Sequence, residues 1–173
     1  SIYMKAFDAM SGRLAWGTPM NGAISSTAAF NNGVVYVGLA NGSISALDAA
    51  TGQLVWQTQT GGSVDSSPAV DNGIIYVGSD DGYVYAINAA TGQIVWRTQT
   101  GGAVDSSPAV ADGVVYVGSD DHALYALNAS TGRLLWQEIT FREQAGGGRE
   151  GAGGAVEGGE VHEGPIGERC RGA

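Results

Sequence analysis

The stretch IYVGSDDGYVYAINAATGQIVW, residues 75–96, alternates short apolar runs with turn residues. Asp81-Gly82 stands between two such runs and predicts a type I′ hairpin, in which both central residues take a positive φ. The segment from Asn88 to Gly92 predicts a longer hairpin loop, because an Asn side chain bonds nearby backbone and Gly takes the left-handed region. The stretch therefore predicts antiparallel strands joined by tight turns.

A further strand precedes this stretch, since Asn72-Gly73 is another type I′ signal and the run before it reads VDSSPAV. The run IIYV after that turn is apolar on both faces of its strand, so both faces must be covered. One four-stranded sheet cannot cover itself, and sheets stacked face to face can. The four strands of the unit are predicted at 64–70, 74–78, 83–87 and 94–98.

The whole unit recurs with a period of 40 residues, marked by a Gly-x-x-x-Trp pair in each copy. The pairs are Gly12 and Trp16, Gly52 and Trp56, Gly92 and Trp96, and Gly132 and Trp136, which together hold all 4 Trp of the chain. A period of this length with four strands predicts an all-β fold, a partial β-propeller whose blades pack radially around a channel. Residues 1–140 are predicted to hold three full blades and two strands of another; these blades are 22–58, 62–99 and 102–139, and the two strands are 2–8 and 13–18.

Among propeller families, the stretch at 75–96 resembles the PQQ-type (pyrroloquinoline-quinone-like) repeat, and the likeness covers residues 1–140. The WD40 type has a similar period, but its Gly-His and Trp-Asp dipeptides do not occur. PQQ-type blades are found in quinoprotein alcohol dehydrogenases, in the outer-membrane assembly lipoprotein of the β-barrel machinery and in ectodomains of some bacterial kinases. Family members close with roughly seven or eight blades, so the resemblance implies a fragment of a larger ring or a ring completed by other copies.

The resemblance also implies a tryptophan-docking arrangement between blades. Each outer-strand Trp would pack against the turn Gly of the next blade, because a large ring with one N–H to satisfy suits such a junction. The alternative role is ligand stacking. The implied pairs are Trp16 with Gly52, Trp56 with Gly92, and Trp96 with Gly132, while Trp136 and Gly12 stand at the ends of the series.

The character of the sequence changes after Phe141. Residues 141–173 are mostly Gly, Glu, Arg and Ala, a composition that cannot bury enough apolar surface to offset the entropy of ordering. A disordered tail is therefore predicted. Its abrupt start, where another repeat is due, suggests a frame slip or truncated reading, and a flexible interaction tail is the alternative.

Bulk composition excludes several function classes. The net charge of −9 argues against a nucleic-acid surface, which needs a basic face. No apolar run approaches the ~20 residues of a membrane span. Cys170 is the 1 Cys of the chain, so neither an internal disulfide nor a cysteine zinc site is predicted.

Catalysis is not favoured by these residues. A quinoprotein dehydrogenase would, by resemblance, need PQQ, calcium with its carboxylate ligands, and a pair of adjacent cysteines that this chain lacks. No cofactor is predicted, and PQQ and calcium enter only if the chain is a piece of such an enzyme. Whether the chain belongs to an enzyme stays open. The residues favour a non-enzymatic chain, and no catalytic residues are predicted.

Asp65 and Asp105 are the best polar candidates, because both begin the first strand of a blade in the motif V-D-S-S-P. That strand lies innermost in propellers, so the pair predicts a polar site at the channel mouth for a cation or a basic peptide. The alternative is a strand start capped by the adjacent serines. The first copy weakens an equivalent site there, since Ser25 replaces the Asp.

These observations favour a non-catalytic recognition scaffold. Exposed blade edges or loop faces would bind a protein or peptide partner, or further propeller blades. The family resemblance implies a periplasmic or extracellular location. The alternatives are a fragment of a PQQ-dependent alcohol dehydrogenase and the sensor ectodomain of a bacterial kinase.

Overall fold

A computed structural model of the protein describes residues 2–140, and every regular element within that range is a β-strand. The strands are β1 (Ile2–Phe7), β2 (Leu14–Met20), β3 (Ala29–Asn31), β4 (Val34–Gly38), β5 (Ser43–Asp48), β6 (Leu54–Gln59), β7 (Ala69–Asp71), β8 (Ile74–Ser79), β9 (Tyr83–Asn88), β10 (Ile94–Gln99), β11 (Ala109–Ala111), β12 (Val114–Gly118), β13 (Ala123–Asn128) and β14 (Leu134–Ile139).

The strands form three four-stranded antiparallel sheets and one two-stranded sheet. Each full blade is a meander in chain order, and the blades are β3 to β6, β7 to β10 and β11 to β14, preceded by the pair β1 and β2. This confirms the predicted all-β architecture of a partial propeller.

Apolar side chains fill the space between neighbouring blades. Ile44 of the first full blade packs with Ile75 and Ile87 of the second, and all three are completely buried. Val84 of the second blade packs in the same way against Leu127 of the third. Each blade therefore covers a face that the next blade cannot cover alone, as the two-sided apolar strands predicted.

The position of a strand within its blade sets its exposure. The first strands lie together, because β7 contacts both β3 and β11. The last strand of each blade stands at the sheet edge, where β6 and β10 alternate between exposed and half-buried residues. The short first strands thus line the inner side of the blades, and the last strands form the outer rim.

The first strand is shorter than the predicted 64–70, since it covers only Ala69–Asp71. Its upstream half bonds to serine side chains instead of to a ladder. Gly78 N donates to Ser66 Oγ over 3.0 Å, and Ser67 N donates to Ser107 Oγ of the next blade over 3.0 Å. Pro68 has no N–H to give to a neighbouring strand.

The Asp81-Gly82 turn also differs from the prediction. Only Gly82 has a positive φ, of 82°, so the loop is not a type I′ turn. It has three residues between β8 and β9, and Gly82 N donates to Ser79 O over 3.0 Å, which is the common loop with a left-handed third residue. At Asn72 and Gly73 both φ values are positive, 47° and 76°, as predicted.

The last blade carries a residue at this turn that is unusual in the left-handed region. His122 occupies the place of Gly82 and has a φ of 68°. Among residues 2–140 no helix is long and apolar enough to cross a membrane. The tail predicted at 141–173, with Cys170, lies outside the described residues.

Candidate functional site

Three tryptophans lie at the junctions between blades, each at the same position on the outermost strand of its sheet. The indole Nε1 atoms donate to main-chain oxygens in the next blade, from Trp16 to Ala49 over 2.8 Å, from Trp56 to Ala89 over 2.9 Å and from Trp96 to Ala129 over 2.9 Å. All three rings are half-buried. The indole N–H, which would be costly to leave without an acceptor, is therefore satisfied across each junction.

The turn glycine beside each acceptor leaves room for the ring. A Cβ added to Gly52 would lie 2.5 Å from Cε3 of Trp16, and one added to Gly92 would lie 2.7 Å from Cδ2 of Trp56. At Gly132 the corresponding distance, to Trp96, is 2.6 Å. The structure thus brings together the three Trp–Gly pairs that the family resemblance implies.

A threonine two residues after each Trp adds a second bond to the same glycine. The hydroxyls of Thr18, Thr58 and Thr98 donate to the oxygens of Gly52, Gly92 and Gly132 over 2.5, 2.5 and 2.6 Å. One junction therefore holds an indole bond, a hydroxyl bond and a ring packed on a glycine. These contacts give the three rings a structural place at the junctions.

The turn itself is ordered by its Asx residue. In the turn at 48–52, Oδ1 of Asp48 accepts from Thr51 N and from Thr51 Oγ1, both over 2.8 Å. These bonds favour the carboxylate and lower the pKa of Asp48 below its usual value. Asp8 in the first turn accepts from Ser11 in the same way, with the same direction of pKa shift.

The two ends of the series differ from the three junctions. Trp136 is 46% exposed, and none of the residues 2–140 accepts from its indole N–H. Gly12 is exposed, and within the described chain no atom beyond its neighbours lies within 4 Å of the place a Cβ would take. Both residues stand at the ends of the series in the sequence, and within residues 2–140 the structure gives neither of them a partner blade.

The predicted polar residues Asp65 and Asp105 come together with a third carboxylate, Asp80. One oxygen from each lies within 4.8 Å of the others, and all three side chains are exposed. Asp65 and Asp105 hold equivalent places in neighbouring blades, whereas Asp80 belongs to the turn between β8 and β9. Asp80 was not singled out from the sequence, because the repeat carries no signal that this position approaches Asp65 and Asp105.

Crowding of like charges changes the ionisation of Asp80. A side-chain hydrogen bond with Asp105, followed by loss of solvation and repulsion from Asp105 and Asp65, raises its pKa to about 6. The group thus holds a proton more readily than an ordinary aspartate. The arrangement concentrates negative charge at one place on the inner side of the blades. What this polar site binds stays a prediction.

A separate exposed surface runs along the outermost strands. It is formed by the two apolar residues that directly precede the Trp of each strand. The pairs are Leu54 and Val55 on β6, Ile94 and Val95 on β10, and Leu134 and Leu135 on β14, with exposures between 43% and 54%. These residues define what is called here the rim. Each rim strand is hydrogen-bonded on one side only, so its other edge offers unpaired backbone groups.

Comparison with known proteins identifies the repeat. The family model described as outer membrane protein assembly factor BamB matches residues 3–81 and, in a second overlapping match, residues 40–162. Together these matches span more than half of the chain. No curated protein sequence gives a significant match.

Solved structures share the fold. BamB from Moraxella catarrhalis superposes with a TM-score of 0.66 and 23% identity, covering 74% of this chain and 41% of that one. Quinohemoprotein alcohol dehydrogenase ADHIIG from Pseudomonas putida HK5 gives 0.72 and 24%, covering 80% and 31%. The computationally designed Ika8 protein gives 0.72 and 24%, covering 79% and 43%. The chain thus spans less than half the length of each, and identities at this level show a shared fold alone.

Proposed function

Because the chain belongs to the PQQ-type repeat family represented by the outer membrane protein assembly factor BamB, we propose that it is a non-catalytic propeller segment that binds an extended protein or peptide segment along its rim. The proposal treats the chain as part of a larger ring. Both the BamB and the dehydrogenase chains share its fold, so fold alone does not choose between binding and catalysis.

The observation that carries the proposal is the open edge of the rim strands. An unpaired strand edge can accept one more strand, and main-chain hydrogen bonds then supply affinity while pockets for alternate side chains supply specificity. The exposed pairs such as Leu54 and Val55 offer apolar contacts beside that edge. A binding surface made of backbone and apolar groups needs no catalytic side chain.

β6 is the least protected of the rim strands. Proteins commonly guard an edge with Lys, other charges or Pro. Arg97 lies in β10 with its guanidinium 4.8 Å from the centre of the Tyr83 ring, and Glu138 lies in β14. β6 reads LVWQTQ and carries neither a charge nor a proline. A partner strand is therefore expected to pair first with β6.

The test uses a synthetic capped peptide of alternating valine and threonine with two lysines, chosen because the chain carries a net charge of −9. Amide hydrogen exchange is followed with and without peptide. Saturable binding that slows exchange in β6 supports the proposal. Absence of saturable binding, or protection confined to other strands, contradicts it.

A matched pair of variants sharpens this test. Val55→Lys places a charge on the rim, where Val55 is 50% exposed, and should weaken peptide binding at least tenfold. Phe30→Lys makes the same charge change on the inner strand β3, where Phe30 is 68% exposed, and should leave binding within about twofold. Equal losses of peptide affinity in both variants would show that binding depends on net charge, and they would contradict the rim as the binding surface.

The non-catalytic part of the proposal is tested separately. The full chain is incubated with PQQ and calcium, and dye-linked alcohol oxidation is measured. Turnover above a protein-free control would overturn it in favour of the dehydrogenase alternative.

The location outside the cytoplasm is proposed on the family likeness. Fractionation of the source cell with an antibody to this chain checks it, and recovery from the cytoplasmic fraction alone would contradict it.

A further inference from the structure

One chain contains both halves of the junction that joins its blades, and within residues 2–140 one copy of each half has no partner. The used junctions place an indole on a turn glycine, as Trp56 is placed on Gly92, with the Ala89 oxygen as acceptor. The unused halves are Trp136 on β14 and the turn from Ala9 to Gly12 between β1 and β2.

The unused turn already has the conformation of an occupied one. Gly12 has a φ of 66°, close to 71° at Gly52, and Gly12 N donates to Asp8 O over 2.8 Å as Gly52 N does to Asp48 O. The Asp8 side chain holds the turn through Ser11, whose amide lies 2.7 Å from Oδ1. The acceptor turn is therefore ordered before any ring is placed on it.

The opposite end presents the complementary ring. Trp136 is exposed, and its ring lies 6.1 Å from the ring of Tyr116, in the same tilted arrangement that Trp56 makes with Tyr36 at 5.9 Å. The ring is thus oriented as in the occupied junctions although none of the residues 2–140 covers it. An exposed, oriented aromatic side chain is the usual centre of a binding surface.

We propose that a second copy of this chain covers this end, with Trp136 of one copy packed on the Ala9–Gly12 turn of the other. The contact repeats the blade-to-blade junction between molecules, and it joins unlike surfaces, so copies associate head to tail. The proposal does not rest on the peptide-binding rim, because the rim residues stay exposed at the junctions inside the chain.

One residue weakens the contact relative to the internal junctions. Glu138 stands where Thr18, Thr58 and Thr98 donate a hydroxyl to the glycine oxygen of the next blade. An ionised carboxylate cannot donate, and it would face a carbonyl oxygen. Association between copies is therefore expected to be weaker than blade packing and to tighten when the donor is restored.

The experiment is sedimentation velocity of the full chain over roughly 1 to 100 μM, a range that detects micromolar association. The wild type should associate as concentration rises. Trp136→Ala should raise the apparent dissociation constant at least tenfold, as for a central aromatic contact. Glu138→Thr should lower it. A wild-type chain that stays monomeric throughout would overturn the proposal.

The turn is blocked with Gly12→Ala, since a Cβ at the equivalent Gly52 would lie 2.5 Å from the docked ring. Gly33→Ala is the matched control, because Gly33 also has a positive φ, of 79°, and its counterparts Gly73 and Gly113 are uncrowded at the internal junctions. Gly12→Ala should weaken association, and Gly33→Ala should not. Equal weakening by both would contradict the assigned contact.

Mixing the two damaged chains provides the decisive measurement. Trp136→Ala keeps its turn and Gly12→Ala keeps its Trp, so a head-to-tail contact predicts that the mixture forms a 1:1 complex although each chain alone is monomeric. A mixture that stays monomeric, or a Trp136→Ala chain that still associates alone, would overturn the contact. Leu135→Ala serves as the control for the ring, since its counterparts Val55 and Val95 remain about half exposed.

Discussion

The indole Nε1 of Trp56 lies 2.9 Å from the main-chain oxygen of Ala89 in the following blade, and the ring rests on Gly92. The same relationship recurs for Trp16 and Trp96. The repeat thus encodes its blade junction in a Trp and a Gly that are separated by almost one period. Stability at the junction can be tested residue by residue, because each junction residue has a counterpart in a different environment.

Gly92→Ala should destabilise the protein by about 2 to 4 kcal/mol. The substitution places a Cβ 2.7 Å from Cδ2 of Trp56 and also strains a residue whose φ is +74°. Gly73→Ala isolates the strain, because Gly73 has a φ of +76° with no atom in contact range, and it should cost about 1 kcal/mol. Urea unfolding at low protein concentration measures both. Equal losses would show that the ring does not press on Gly92.

Trp56→Phe should reduce the free energy of unfolding by about 2 kcal/mol, since it removes part of a packed ring and leaves the Ala89 oxygen with only the 3.4 Å bond from the Tyr36 hydroxyl. Trp136→Phe changes the same residue type where the ring is 46% exposed, and should cost less than about 0.5 kcal/mol. The comparison is made by urea unfolding in dilute, monomeric samples. A larger effect at Trp136 would contradict the assignment of Trp56 to the junction.

The period could be predicted from the sequence because it repeats, whereas the pairing of Trp with Gly across blades was implied by the family resemblance. Trp and Gly at fixed spacing mark every blade, and the apolar run at 74–77 requires cover on both faces. The inner strand was predicted too long, because the hydroxyls of Ser66 and Ser67 replace ladder bonds that the pattern of residues assigns to a strand. Periodicity in the sequence does not reveal side chains that compete for backbone hydrogen-bonding groups.

The polar site was predicted only in part for a related reason. Asp65 and Asp105 share a motif, so the repeat marks both of them. Asp80 approaches Asp65 from a different segment of the same blade, and the packing of that blade on the next brings it to Asp105, so that the three oxygens lie within 4.8 Å of one another. Residues at different positions of successive repeats do not recur with the period, so the sequence gives no sign that they are in contact.

Ser66→Ala should reduce the free energy of unfolding by about 1 to 3 kcal/mol. Ser66 is completely buried, and its Oγ accepts from Gly78 N over 3.0 Å, so the substitution leaves a buried N–H without an acceptor. Ser106→Ala removes the equivalent bond to Gly118 N, of 2.8 Å, at an exposed place where water can replace it. Its cost should stay below about 1 kcal/mol. Thermal unfolding of both variants measures the two losses of stability. A larger loss for Ser106→Ala than for Ser66→Ala would contradict the prediction.

Asp80→Asn should change how stability depends on pH. The folded protein raises the pKa of Asp80 from 3.8 to about 6, through Asp105 first and then through loss of solvation. Between these values the folded state holds a proton that the unfolded state has released, so this group makes the folded state less stable as pH rises from about 4 to 6. The variant carries no charge there and should lose this contribution.

The measurement is the melting temperature of wild type and variant from pH 4 to pH 7. The difference, Asp80→Asn minus wild type, should grow more positive as pH rises through about 6 and then level off. Asp105→Asn should make the stability of the protein less dependent on pH over the same range, because Asp105 is the largest cause of the raised pKa of Asp80. A flat difference for Asp80→Asn would show that repulsion among Asp65, Asp80 and Asp105 does not act on the folded state.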